Sequence, residues 1–306
     1  MSASVQEKII MEPLKIAIIG LDTSHSVALP KLMQDPTVED PIKELRAVTC
    51  LRFPTPFQSE QGQDERQAYL ESIGVKVTRD FDEAVADCDA IMLEINDPAF
   101  HLEYFEKCAK LGKPIFLDKP FADTLENTKK IMDIAKENNV RYFTASSLRF
   151  DIDLVEGRAA VEQPVSAMVW GPVGRAPAGS SIVWYGVHAF EILNMVMGPG
   201  AISVNGSADM HGYVFHVIYA DGRRGIVELS RNCWSYGASC RDAKGATETF
   251  KVTGRVPFYK RLLLEIVKFF QGEQPVELSN SVEIMAMLSA AETSVQTGQP
   301  APVYKF

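Results

Sequence analysis

The chain has few residues that could brace it covalently. Its five cysteines, at positions 50, 88, 108, 233 and 240, form an odd set with no Cys-x-x-Cys pair. That argues against a disulfide scaffold or a cysteine-ligated zinc ribbon, and makes reduced thiols in a cytoplasmic setting the expectation. Positive charge is also short. Thirty-one Lys and Arg stand against 40 Asp and Glu, a net charge of −9. Such a balance disfavours nucleic acid and anionic membrane, so neither is expected as a partner. No apolar run approaches a membrane span. Residues 1–13 carry acids and too short an apolar stretch for a secretory leader, so they read as a tail or a short lead-in. No repeat or low-complexity tract is evident.

What is there is an ordinary globular composition, 46% hydrophobic and 23% charged, over 306 residues. That length suggests two domains with sizeable cores. Short apolar runs at 14–19, 45–51, 74–77, 90–95, 115–117 and 140–144 alternate with helical stretches at 99–111 and 124–138. The alternation predicts a parallel doubly wound sheet, with the first domain spanning 1–145. After it, residues 165–170 and 201–253 read as strands broken by glycines, with a hairpin turn at Asp221-Gly222. Two helical segments, 259–271 and 281–297, close the chain. The second domain, 146–306, is therefore expected to be α+β with a large, mainly antiparallel sheet. An open face on that sheet predicts a homodimer or larger homo-oligomer. Tyr213, Phe215, Val217 and Tyr219 supply one apolar face, either the open one or the core one.

One stretch organises the first domain: LGKPIFLDKPFADT, residues 111–124. An apolar strand enters from Gly-Lys-Pro and stops at Asp118-Lys119-Pro120, because Pro120 has no N–H and biases Lys119 away from helical angles. Lys119 thus projects from the carboxyl end of a strand, the end at which open parallel sheets bind ligands. A cis Lys119–Pro120 bond is expected at such a reversal. Earlier, strand 14–19 runs into Gly20 and then DTSHS, the place of a dinucleotide fingerprint. Only the first glycine is present. Asp22 and His25 occupy the second and third positions, where a carboxylate would repel a pyrophosphate. Thr23, Ser24 and the helix start still offer donors to an anion.

Gly-Lys-Pro, an apolar strand, acid-Lys-Pro and a helix resemble the signature of the glucose–fructose oxidoreductase/inositol dehydrogenase (Gfo/Idh/MocA-like) family. That resemblance implies an N-terminal Rossmann domain, a C-terminal α+β substrate domain, and NAD(P)-dependent oxidation or reduction of a sugar, polyol or related hydroxy compound. It implies Lys119 as catalytic acid/base. It also matches Gly186-x-His188-x-x-Glu191 to the family's Gly-x-His-x-x-Asp, which makes His188 the second catalytic group, placed at a helix start. Asn96, Pro98 and Asp118 then fall beside the cofactor, and Ser147-Leu148-Arg149-Phe150-Asp151 at the crossover between domains. Three departures qualify the resemblance. Asp118 stands for the usual Glu. Cys50 stands where an acid would hold the adenosine ribose, with Arg52 next to it as a candidate for a 2′-phosphate. Trp184 stands where an Asp would complete the Lys–Asp–His set. Weak binding of NADP or NAD is therefore expected, with NADP at least equal.

For substrate, Trp184 and Tyr185 offer a stacking wall, and Arg149 either contacts substrate or ties the domains. Glu94, inside an apolar strand, is costly unless paired and is a further site candidate. His188 and Glu191 alone are too few for a zinc site, so no metal is expected. The alternative reading, favoured by the degraded fingerprint, is a non-catalytic sensor or ligand-binding protein on the same fold.

Overall fold

The computed structural model describes residues 12–38 and 41–305. The lead-in expected at 1–13 lies outside the described residues except for its last two positions. Two sheets carry the architecture. The first contains β1 (Leu14–Ile19), β2 (Leu45–Leu51), β3 (Lys76–Thr78), β4 (Ala90–Leu93), β5 (Ile115–Leu117) and β6 (Tyr142–Phe143), all parallel, in the order β3-β2-β1-β4-β5-β6. Strand order reverses between β1 and β4, which makes the switch point at which such sheets bind ligands. The central strands are apolar throughout because helices cover both faces; Ile16 to Ile19 and Ile91 to Leu93 are wholly buried.

The helices of this half are α1 (His25–Met33), α2 (Glu60–Ser72), α3 (Phe81–Val85), α4 (His101–Ala109) and α5 (Leu125–Glu137). From its Pro, Gln and charged residues the stretch 52–66 reads as an extended loop, but its second half, from Glu60, is the start of α2. Ser59 caps α2 by accepting the Gly62 N–H at 3.1 Å, and the loop is confined to residues 52–59. A low apolar content hid that helix from a periodicity argument.

The second sheet contains β7 (Pro164–Pro172), β8 (Ala201–Ala208), β9 (Gly212–Tyr219), β10 (Arg224–Ser230), β11 (Gly237–Asp242), β12 (Thr247–Lys251) and β13 (Ala301–Pro302), in the order β12-β11-β7-β10-β9-β8-β13. Only the β7–β10 pair is parallel. After a short α6 (Ile152–Ala159), helices α7 (Ser181–Met197) and α9 (Leu278–Thr297) pack on one face of this sheet. Phe215, Val217 and Tyr219 point into that core and Tyr213 is half-buried beside it. The face named from these residues is therefore the core face. The opposite face exposes Met168, Val214 and Ile218, with a concavity of about 570 Å³ between Met168, Val214, Arg224 and Ile226.

Helix α8 (Phe258–Phe270) returns to the first sheet. Its Leu262, Leu263, Ile266 and Phe269 share one core with Ile16, Ile18, Phe116 and Phe143. No helix among the described residues is long and apolar enough to cross a membrane.

Candidate active site

The site forms where three strands end side by side. Parallel register pairs Ile19 with Leu93 and Leu93 with Leu117, so Gly20, Glu94 and Asp118 follow in a row. Gly20 turns the chain at φ +109°, and its N–H reaches the Leu51 carbonyl at 3.0 Å. A Cβ there would stand 2.4 Å from the Glu94 carbonyl oxygen, so glycine is required by both angle and space. Asp118 leads into Lys119, and the Lys119–Pro120 bond is cis as expected.

A cavity of about 540 Å³ opens between the two sheets and brings together most of the residues singled out from sequence. Asp22, Thr23, Ser24, His25, Asn96 and Lys119 line it from the first sheet, and Trp184, Tyr185 and His188 from α7. Lys119 and His188, 69 residues apart in sequence, thus share one cavity. Gly20, Arg52, Pro98, Asp118 and Arg149 do not line it.

Each of those five has an observed setting. Arg52 is buried, and its guanidinium is taken by Glu60 and Asp64, each at 2.7 Å, and by Gln67 at 2.6 Å. Its charge is balanced within the chain, which removes the argument for a 2′-phosphate partner. Arg149 donates to Glu191 and Asn194 on α7, both at 3.1 Å, and acts as a tie. Pro98 begins a short 3₁₀ turn whose cap is Asp97. Gly20 lies under the turn, and Asp118 lies behind Lys119.

Asp22 has a structural role that the sequence did not reveal. Its buried carboxylate accepts the Asn96 N–H at 2.8 Å, the Asp97 N–H at 3.3 Å and the Thr55 hydroxyl at 2.8 Å. It ties the turn after β1 to the loop after β4 and to the 52–59 loop. Asn96 in turn accepts the Trp184 indole N–H at 2.9 Å, a direct bond between the two halves. Trp184 therefore serves as a wall and a strut.

His188 sits in the middle of α7, which begins at Ser181; the expected helix-start position is wrong by about two turns. Burial, then the neighbouring Lys119, pushes its pKa well below the ordinary 6.5, so it is neutral at pH 7. The helix dipole is not the cause. Its Nδ1 lies 2.7 Å from Ser146 Oγ, which also accepts the Leu148 N–H. That contact fixes the ring. In the tautomer whose Nδ1–H donates to Ser146, Nε2 is a proton acceptor; in the other, the Ser146 hydroxyl donates to Nδ1.

Glu94 and Asp118 are both wholly buried and respond oppositely. Burial, then the Asp118 charge, raises Glu94 well above the ordinary carboxyl range. Burial also works to raise Asp118, but His25 and Lys119 outweigh it and hold its pKa down at about 2. Asp118 is thus the standing anion beside Lys119. Sequence reasoning missed Arg66, Trp234, Tyr236 and Tyr259, which also line the cavity. Arg66 lies in the stretch read as loop, and Tyr236 and Tyr259 lie far along the chain from the fingerprint, in segments where no local pattern marks them. His101, by contrast, is structural: its ring nitrogens contact the Ile95 carbonyl at 2.8 Å and the Phe121 carbonyl at 3.3 Å.

Residues 14–146 match the model of an oxidoreductase family with an NAD-binding Rossmann fold. An uncharacterized oxidoreductase of Streptococcus pneumoniae is 22% identical over 169 residues, 48% of this chain and 46% of the relative. The chain thus spans less than half the length of the curated relatives it matches. Among solved structures, myo-inositol dehydrogenase of Corynebacterium glutamicum superposes with a TM-score of 0.75 at 16% identity, covering 96% of this chain and 100% of its own. GenD2 from gentamicin A biosynthesis, solved with NAD, gives 0.75 at 15%, covering 99% and 100%. At such identities these neighbours show a shared fold alone, and that fold spans both sheets. Residues 14–146, which carry the strand-end Lys-Pro signature and the switch-point turn, thus match the Gfo/Idh/MocA oxidoreductase family model, and the fold shared with these neighbours extends through the second sheet.

Proposed function

We propose that the chain is an NAD(P)-dependent oxidoreductase of a sugar, polyol or related hydroxy compound. The observation that carries this reading is the convergence of Lys119 and a neutral His188 on one aromatic-walled cavity at the switch point. The Gly20 turn, which no Cβ could enter, and the start of α1, which has no side-chain cap, fit the pyrophosphate end of a dinucleotide. Thr23 and Ser24 are the residues that would hold it, on the turn that Gly20 makes. When bound, the nicotinamide supplies the hydride acceptor or donor. The chain itself supplies position and proton handling. Lys119 exchanges the proton of a substrate hydroxyl, His188, as the tautomer with Nδ1–H on Ser146, accepts a hydrogen bond from a neighbouring hydroxyl through Nε2, and Trp184 and Tyr185 cover an apolar ring face. Polyol chemistry is supported by the inositol dehydrogenase among the neighbours.

The adenosine end fits less well, since Cys50 offers no carboxylate and Arg52 is already paired. Comparable, weak affinities for NAD and NADP are therefore expected by calorimetry on purified protein. A clear NADP preference would return a role to Arg52. Failure of the folded protein to bind either would favour a second reading, a non-catalytic ligand-binding protein, for which the buried Asp22 carboxylate in the fingerprint turn is the specific support. The apolar outer face of the second sheet is read as the seat of a second copy; a monomer by light scattering at micromolar concentration would remove that part.

A further inference from the structure

Behind Lys119 lies a group of side chains that the proton chemistry above leaves unused. His25 from the first turn of α1 meets Glu94 from the end of β4 and Asp118 from the end of β5. His25 Nδ1 is 2.7 Å from Asp118 Oδ2 and 3.7 Å from Glu94 Oε2. One ligand atom from each residue lies within 4.8 Å of the other two, the one such His/Cys/Asp/Glu group among the described residues. All three side chains are buried, and Glu94 and Asp118 have no exposure at all. Yet His25 Nδ1 and all four carboxylate oxygens lack a hydrogen-bond partner in proper alignment. His25 Nδ1 and Asp118 Oδ2 face each other at 2.7 Å, but the two buried Glu94 oxygens have no hydrogen-bond partner, far from the usual state of a protein interior, where nearly every such atom is bonded. His25 and Lys119 answer the Asp118 charge, and Glu94, turned to the same point, is left unexplained.

We infer that His25, Glu94 and Asp118 are the protein ligands of one divalent transition-metal ion of the Mn²⁺/Zn²⁺ class. An ion bonded at about 2.1 Å to each ligand sets neighbouring donor atoms roughly 3.0–3.4 Å apart. The observed 2.7 and 3.7 Å lie on either side of that range, so small side-chain adjustments complete the site. One imidazole with two carboxylates suits Mn²⁺ or Zn²⁺, whereas Ca²⁺ takes six to eight oxygens, about twice what this group offers. The two carboxylates balance the ion's charge. His25 reaches the cavity wall while Glu94 and Asp118 lie behind it, so the ion would sit at the inner edge of the cavity. Lys119 and the start of α1 both oppose a cation, so the ion is held less tightly than in a structural zinc site.

The test uses full-length protein stripped with a chelator and titrated separately with Mn²⁺ and Zn²⁺. One ion per chain is expected by calorimetry. Glu94→Gln and His25→Asn should each weaken binding at least about tenfold, and added metal should raise the melting temperature of the parent but of neither variant. Pulsed electron spin resonance of the Mn²⁺-loaded parent should show coupling to one imidazole nitrogen. Absence of saturable binding by the folded parent overturns the assignment. So does unchanged affinity in either variant that folds. If neither variant folds, a Mn²⁺ signal without nitrogen coupling overturns it on the parent alone. None of these readouts depends on dinucleotide binding or turnover, so the site stands or falls apart from the proposed oxidoreductase activity.

Discussion

Lys119→Arg is expected to lower turnover by about 10²–10⁴-fold, the range in which positioned proton transfer contributes. Arginine keeps the positive charge beside Asp118 and Glu94, so the buried carboxylates retain a counter-ion and the fold is preserved. It cannot give up its proton near neutral pH, so the chemical role is lost. Lys119→Ala should slow the reaction as much, but it also leaves two buried carboxylates facing only His25. That variant is expected to melt lower, by the mechanism that makes a broken buried ion pair costly, roughly 3–5 kcal/mol. The decisive readout is therefore kcat of Lys119→Arg at saturating substrate and cofactor, with circular dichroism reporting the fold. A kcat within a few-fold of the parent would exclude Lys119 as the proton-transfer group.

Gly20→Ala carries the largest expected loss of stability. At φ +109° an L side chain is strained by about 1–3 kcal/mol before any contact is counted. The added methyl would also lie 2.4 Å from the Glu94 oxygen and 2.9 Å from the Ile95 Cγ1, both on the neighbouring strand's exit. Backbone cannot rotate away from such a contact, so β1 and β4 must part where the site is built. A loss above about 3 kcal/mol is expected, a size associated with a named steric cause and not with ordinary substitution. Gly245→Ala is the control. Its φ is +94°, but its Cβ would meet nothing within 4 Å, so only the conformational part remains. Urea unfolding compares them; equal losses would refute the packing half of the argument.

The fold was legible because its signals are local. The central strands of the first sheet announce themselves as apolar runs, and Pro120 marks where β5 must stop. The residues of the cavity drawn from the fingerprint and from α7 were legible for the same reason. What escaped was electrostatic pairing at a distance. Arg52 reads as a free cation in sequence, yet Glu60 and Asp64 lie one helix turn apart and close on it from α2. Asp22 reads as an obstacle to pyrophosphate, yet its partners are amides 74 and 75 residues away. Glu94 stood out as a misplaced charge, but its companions His25 and Asp118 become neighbours only when β1, β4 and β5 end level. The boundary of α7 was misjudged because Ser180, its cap, follows a Gly/Pro/Ala-rich loop that gives no periodic signal.

The return of α8 bears on how the molecule can be divided. The polypeptide leaves the first sheet after Phe143, builds the second, and then comes home to lay Leu262, Ile266 and Phe269 against Phe116 and Phe143. A gene fragment ending near residue 146 would contain every strand of the first sheet and still lack the cover on one side of it. Such a fragment would display a greasy flank to water and would be prone to clump, however complete its motif looked. Swapping substrate halves between relatives by cutting at the crossover would meet the same obstacle, because the piece exchanged must bring along a helix that fits the other partner's interior. The workable module is discontinuous: the first 146 residues together with residues 258–270.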